Sequence, residues 1–415
     1  MVWRLLQSAP SPLLDPHHMH PVTEPEGAYL ASARQHAVDE FIRIRREIHA
    51  EPELGFAEHR TAALVADKLE GWGYAVERGV GGTGVVGRLV RGDGQRRLGL
   101  RADMDALPMA EHSGKPWASR RPGVMHACGH DGHTAMLLAA ARRLAEDSHW
   151  SGTLVLIFQP AEEGGGGALR MMEDGLFERY PCDAVFAMHN MPGLPLGHLQ
   201  FREGAAMASS DYATITIDGL GGHGAMPQHA ADPIVAAASL VMALQTIVAR
   251  NVDPQQTAVV TVGALQAGQA NNVIPAQARL ELSVRALDAG VRALLERRIR
   301  ALAASQAEGL GCTATVDWRR GYTVLVNTPA ETALARAVGL ELVGAERVTL
   351  QGPALTGSED FAFMLERVPG SYLLVGNGDG EGHCMVHNSG YDFDDRNIAV
   401  GAAYWTLLAQ RFLTA

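Results

Sequence analysis

Cysteine is scarce in this chain: Cys128, Cys182, Cys312 and Cys384 are the four in 415 residues. They are too few and too widely spaced for a disulfide framework in a protein of this size. Long apolar runs are also lacking. No stretch reaches ~18 consecutive apolar residues, so no membrane span is expected. Basic charge is in deficit, with 35 Lys and Arg against 46 Asp and Glu. That balance disfavours nucleic acid and anionic membranes as partners, since both select basic surfaces. The segment Met1 to Glu26 lacks the basic-then-apolar order of a secretion signal, which points to the cytoplasm. It is rich in Pro and His and reads as a poorly ordered extension. His17, His18 and His20 could bind metal, but a disordered tail is the simpler reading. There is no internal repeat, and low complexity is confined to Gly164–Gly167.

What is present is ample core material. Hydrophobic residues make up 47% of the chain, and its length suits two or three domains at ~100–200 residues each. Leu30, Ala37, Phe41, Ile44 and Ile48 place one apolar face on a helix from about Gly27 to Ala50, ended by Pro52. A second helix is predicted over Arg60–Trp72 and a third from Thr134 to about Asp147. Between and after them come apolar runs: Leu98–Ala102 leading to Asp103 and Asp105, Thr153–Phe158 leading to Glu162 and Glu163, and Ala184–Met188 leading to His189. Strands alternating with helices predict an α/β fold with a mixed, largely parallel sheet. In such sheets ligands bind beyond the carboxyl ends of the strands, where these acids and this histidine fall. From Tyr212 to Trp318 the order becomes strand, helix, strand, strand, helix, strand. That is the content of an inserted α+β unit of split βαβ, ferredoxin-like type. The predicted division is an extension over 1–26, a catalytic domain over 27–206 and 319–415, and an inserted lid over 207–318.

The densest chemistry is in His126-Ala-Cys-Gly-His-Asp-Gly-His133. Thiolate and imidazole suit zinc and similar divalent metals, and Gly129 and Gly132 permit the tight turns that let side chains converge. Two other readings are open: a polar loop capping the next helix, and a nucleophilic Cys128 paired with a nearby His. The second needs a geometry that residues two apart in a turn rarely reach. Glu162 and Glu163 offer one carboxylate to ligate metal and one to accept a proton from metal-bound water. The following glycines are no dinucleotide fingerprint, because Leu169 stands where the last Gly should be. His189 follows an apolar strand. His387 lies in Gly382-His-Cys-Met-Val-His-Asn388, where Cys384 and His387 could form a local pair. Asp103 and Asp105 could ligate metal or orient a ligating His. His223 sits in a flexible loop, Gly221–Pro227, and could stabilise an oxyanion. Arg285 could bind a substrate carboxylate or be an ordinary strand-end charge.

Taken together, Arg46-Glu-Ile-His49 with Pro52-Glu53-Leu54, Arg101-Ala-Asp-Met-Asp-Ala-Leu-Pro108, Met125–His133, Gln159-Pro-Ala-Glu-Glu-Gly164, Met188-His-Asn190, Gly222-His-Gly-Ala-Met-Pro227, Asn272-Val-Ile-Pro275, Gly357-Ser-Glu-Asp-Phe361 and His387-Asn388 resemble one family. It is the di-metal aminoacylase and carboxypeptidase family of metallopeptidases, in its amidohydrolase branch. That branch holds hippurate hydrolase-like enzymes, plant auxin-conjugate hydrolases and bacterial N-acyl-amino-acid amidohydrolases. The resemblance covers nearly everything after about residue 35. It implies two divalent metals (manganese, zinc, cobalt or nickel) on Cys128, His130, Glu163, His189 and His387. It implies Glu162 as general base, Asp105 as the carboxylate behind a ligand, and His223 as the lid residue that meets the reacting carbonyl, supplied by either subunit. His126, Asp131 and His133 become supporting residues. Arg285, Asn272 and Gly357 are carried over as substrate-binding. The implied substrate is an N-acyl amino acid or a dipeptide, and the implied assembly a homodimer or larger homo-oligomer through the lid. A dipeptidase or carboxypeptidase on the same fold, and a binding protein without turnover, are the alternatives.

Overall fold

Parallel strands buried on both faces read as continuous apolar runs rather than alternating ones. The runs that end in acids or histidine do so because they become such strands. In the computed structural model, which describes residues 35–380 and 384–414, Gly152–Gln159, Arg97–Asp103, Ala184–Met191 and Gly370–Gly376 lie side by side in that order, each parallel to its neighbour. All their carboxyl ends therefore share one edge. Antiparallel Gly84–Arg91 and then Ala75–Val80 extend the sheet on one side. Leu199–Gln200, antiparallel to Gly370–Gly376, and Val348–Thr349 complete an eight-stranded sheet on the other. The extension over 1–26, with its three histidines, and the start of the first predicted helix lie outside the described residues.

Alternate side chains of each strand enter different cores. Leu154, Leu156 and Phe158 pack under the helices Gln35–Ala50, His130–Glu146 and Asn397–Leu413, while Val155 and Ile157 pack with Met171, Phe361 and Tyr372. The helix His130–Glu146 is buried along most of its length. Gly129 opens it in the left-handed region at φ 90°, and an added Cβ there would lie 2.3 Å from Asn190 Nδ2. Only glycine lets the chain turn this closely against the next strand.

A second, four-stranded sheet is wholly antiparallel, in the order Ala258–Ala267, Gln277–Ala286, Ser209–Asp218, Thr313–Arg320. Helices Pro233–Arg250 and Ala289–Glu308 cover one face through Leu240, Leu244, Leu295 and Ile299 against Ile215, Ile217 and Leu280. The chain is thus α/β with an inserted split βαβ lid. Pro233–Arg250 is long and apolar enough to cross a membrane by length and mean hydropathy, although Ser239, Gln245 and Thr246 interrupt it. Its inner side packs on the lid sheet, while Val235 and Met242 remain 51% and 71% exposed.

Candidate metal centre

Chemistry gathers at the shared strand edge. Arg97–Asp103 delivers Asp103 and Asp105, Gly152–Gln159 delivers Glu162 and Glu163 across Pro160 and Ala161, and Ala184–Met191 delivers His189. Cys128 and His130 arrive at the start of their helix. His387 comes from the segment before the last helix, at φ 62°. Cys128 Sγ lies 3.3 Å from His189 Nε2, and His387 Nε2 lies 3.0 Å from Glu163 Oε1. Donor atoms of Cys128, His130 and His189 fall within 4.8 Å of one another, and so do those of Cys128, Glu163 and His387. The two sets share Cys128.

The donors fit a transition-metal ion. His130 Nδ1 donates to the Asp105 carbonyl at 2.9 Å, which leaves Nε2 as the nitrogen that a metal would take in place of a proton. That Nε2 is buried with no hydrogen-bond partner among the described residues. His189 Nδ1 likewise donates to the Asn190 carbonyl at 2.6 Å, turning its own Nε2 toward Cys128. A ligating His held by its other nitrogen is the arrangement metals select. Burial, followed by Glu163 and Glu162, pushes the Cys128 thiol well above its ordinary range. A bound cation would reverse that and favour thiolate. Burial lowers His130, but Asp103 and Asp105 outweigh it and raise the group to about 10.

Asp105 ties the parts together. Its Oδ1 accepts from the Glu162 amide and its Oδ2 from the Glu163 amide, both at 3.0 Å, and Oδ1 is 3.2 Å from His130 Nδ1. Glu162 is 7% exposed, and burial followed by Glu359 and Glu163 raises its carboxyl well above the usual range.

The Cys/His run divides by partner. His133 uses both ring nitrogens, Nδ1 with Asp103 at 2.6 Å and Nε2 accepting from the Asn190 amide at 3.0 Å. Asp131 pairs with Arg45 at 2.7 Å and His49 at 2.8 Å. His126 is buried beside His49 without a partner among the described residues, and burial lowers it to about 4. Cys384 belongs to none of these donor sets and packs against the apolar core.

A cleft of about 770 Å³ opens on this centre. Cys128, Glu162, Glu163, His189 and His387 line it, with Arg285 and Gly357. Arg285 donates to Ser358 Oγ at 3.0 Å. His223 and Asn272 are not among its lining residues. They share a small ribbon, where His223 pairs with Val273 and the Gly224 amide donates to the Asn272 carbonyl at 2.8 Å. His223 is exposed there.

Sequence reasoning assigned no role to Arg101, Glu359 and Asp360. Fully buried Arg101 pairs with Asp103 at 2.7 Å, Glu359 at 2.9 Å and Asp360 at 3.2 Å, behind Glu162. The available signal was an arginine inside an otherwise apolar strand, which only paired acids can stabilise.

The model of peptidase family M20/M25/M40 matches residues 99–411. The chain is 46% identical to a hippurate hydrolase of Campylobacter jejuni over 90% of this chain and 97% of that one. It is 39% identical to an N-acetyl-L-cysteine deacetylase of Bacillus subtilis, over 90% of this chain and 88% of that one. Among solved structures it resembles a Bacillus subtilis protein described as a dinuclear metal binding peptidase of the M20 family. The TM-score is 0.80 and the identity 32%, with 92% of this chain and 99% of that one covered. With that family match over most of its length and relatives of this identity and coverage, the chain belongs to peptidase family M20/M25/M40.

Proposed function

We propose that this protein hydrolyses the amide bond of N-acyl amino acids by metal-activated water. The observation that carries the reading is a pair of donor sets sharing Cys128, with Glu162 beside them, in a cleft that also holds an arginine. Cys128, His130, Glu163, His189 and His387 would hold two divalent ions of the manganese, zinc, cobalt or nickel type. When bound, such ions lower the pKa of water and polarise a carbonyl. Glu162, which lines the cleft beside Glu163, takes a proton from the water and returns it to the departing amine. Asp105 fixes His130 and the Glu162–Glu163 turn. Arg285 receives the substrate carboxylate, Gly357 lets the chain pass close to it, and Met191, Met207, Leu355 and Leu374 offer the acyl group an apolar wall. A dipeptide's free ammonium would lose hydration against such a wall, which favours acyl substrates over dipeptides.

Residues 207–318 act as the lid and 27–206 with 319–415 as the catalytic domain. His223 and Asn272 stand outside their own chain's cleft, so they serve the cleft of a second copy. Around them Leu220, Met226 and Val273 are 60%, 52% and 54% exposed, an apolar surface suited to a homodimer. The test is hydrolysis of N-acyl amino acids and dipeptides by enzyme reconstituted with each metal, with and without chelator. Glu162→Gln is expected to keep its metal and lose turnover about 10²–10⁴-fold. A near wild-type rate would remove Glu162 from the reaction.

A further inference from the structure

Besides Arg320, which pairs with Glu296, the four-stranded sheet brings two guanidinium groups to the cleft lining, Arg285 and Arg319. They stand on strands flanking Ser209–Asp218, and Tyr212 of that strand lies between them. The guanidinium carbons sit 5.6 and 5.1 Å from the Tyr212 ring centroid. Tyr212 is in direct register with Arg319, and Arg285 is in register with Ser210 two residues away. Side chains alternate along the strand, so Ala213, Ile215 and Ile217 face the lid helices and Tyr212 the opposite side.

Neither arginine pairs with a carboxylate among the described residues. Nearby cations behave differently: Arg292 pairs with Asp211 at 2.6 Å, and Arg320 with Glu296 at 2.7 Å. Two cations flanking one aromatic ring repel each other, and an arriving anion relieves that repulsion. The catalytic wall of the same cleft holds Glu162, Glu163 and Glu359. The cleft is therefore acidic at its metal-binding side and basic at the lid.

This inference rests on the reading of the cleft as an N-acyl-amino-acid site. The α-carboxylate of such a substrate occupies one guanidinium, and Arg285, steadied by Ser358, takes it. Arg319 is then a second cation with no counterpart in a glycine or alanine conjugate. We propose that the preferred substrates carry a second carboxylate on the amino-acid side chain, as N-acyl aspartate and N-acyl glutamate do. Arg319, held beside the Tyr212 ring, receives that carboxylate.

The experiment measures kcat and KM of the metal-loaded enzyme for N-benzoyl derivatives of alanine, aspartate and glutamate, in wild type and Arg319→Gln. A well-placed charge pair is expected to favour an acidic conjugate about tenfold in kcat/KM, mostly through KM, because Arg319 touches no reacting atom. Arg319→Gln should erase that preference and leave the alanine conjugate unchanged, which also reports that the variant is folded. If the alanine conjugate is hydrolysed but neither acidic one is preferred, or the preference survives in Arg319→Gln, the role of Arg319 is overturned while the amidohydrolase reading stands. If no N-acyl amino acid is hydrolysed, the reading falls and this inference with it.

Discussion

Asp105 makes one carboxylate serve three donors: the Glu162 and Glu163 amides and His130 Nδ1. Asparagine has the same shape but replaces an acceptor oxygen with an NH₂ donor. In Asp105→Asn that NH₂ must face a backbone N–H or the His130 Nδ1–H, whichever way the amide turns. The turn carrying Glu162 then shifts or His130 loses its orientation. Metal affinity is expected to fall about 10–100-fold, the usual effect of removing a ligand's supporting partner. Competitive titration with a chelator measures it, and unchanged affinity would show that Asp105 does not orient His130. The family resemblance singled out Cys128, His130, Glu163 and His189, while residue type alone showed only that the Cys/His run and the acids after the apolar strands suit a metal site. Residue type could not separate His130 from His133. That choice is made by Asp103 and the Asn190 amide, which occupy both nitrogens of His133 and reach it only in the fold.

Helices Gln35–Ala50 and His130–Glu146 are joined beneath the metal centre by buried charge. His49 Nδ1 lies 2.8 Å from Asp131 and Nε2 lies 3.2 Å from Glu111, so each ring nitrogen faces a carboxylate. Burial and Arg45 disfavour the imidazolium, but the two carboxylates prevail and raise His49 from 6.5 to about 9. A raised histidine stabilises the fold fully below its unfolded value, and that stability is lost as pH climbs through the folded value. The contribution is therefore whole below about pH 6.5 and fades toward pH 9, with an upper bound of roughly 3–4 kcal/mol at ~1.36 kcal/mol per pH unit. Asp131 is lowered mainly by Arg45 and His49 against the pull of burial, so its own contribution fails only at the acid end. Thermal melts of wild type and His49→Gln, both metal-loaded, should differ most near pH 6 and converge as pH approaches 9. A difference constant across that range would mean His49 is neutral in the fold. The helix itself was legible from its apolar period. Its buried Arg45 and His49 were not, because their partners Asp131, Glu111, Asp392 and Asp395 are distant in sequence.

At the scale of the whole molecule, the lid's strand and helix content was readable from alternating strands such as Tyr212–Asp218. Its relation to the cleft was not. Tyr212, Arg285 and Arg319 reach the cleft, while His223 and Asn272, on the same lid, do not. If His223 serves a second copy, each complete site needs Glu162 from one chain and His223 from another. That requirement can be read without knowing the interface. His223→Ala and Glu162→Gln are each expected to be nearly inactive alone, the first losing an oxyanion donor typically worth about 10²–10³ in kcat. Co-expressed with different tags and purified over both, they form mixed dimers. In a mixed dimer one site combines intact Glu162 from the first chain with intact His223 from the second, and the other site carries both defects. Such dimers should recover about half of wild-type activity per dimer, since one site of the two is whole. If His223 acts on its own chain instead, every site in the mixed dimer keeps one defect. The activity then stays at the mean of the two inactive parents, and the exposed ribbon holding His223 must close over its own cleft.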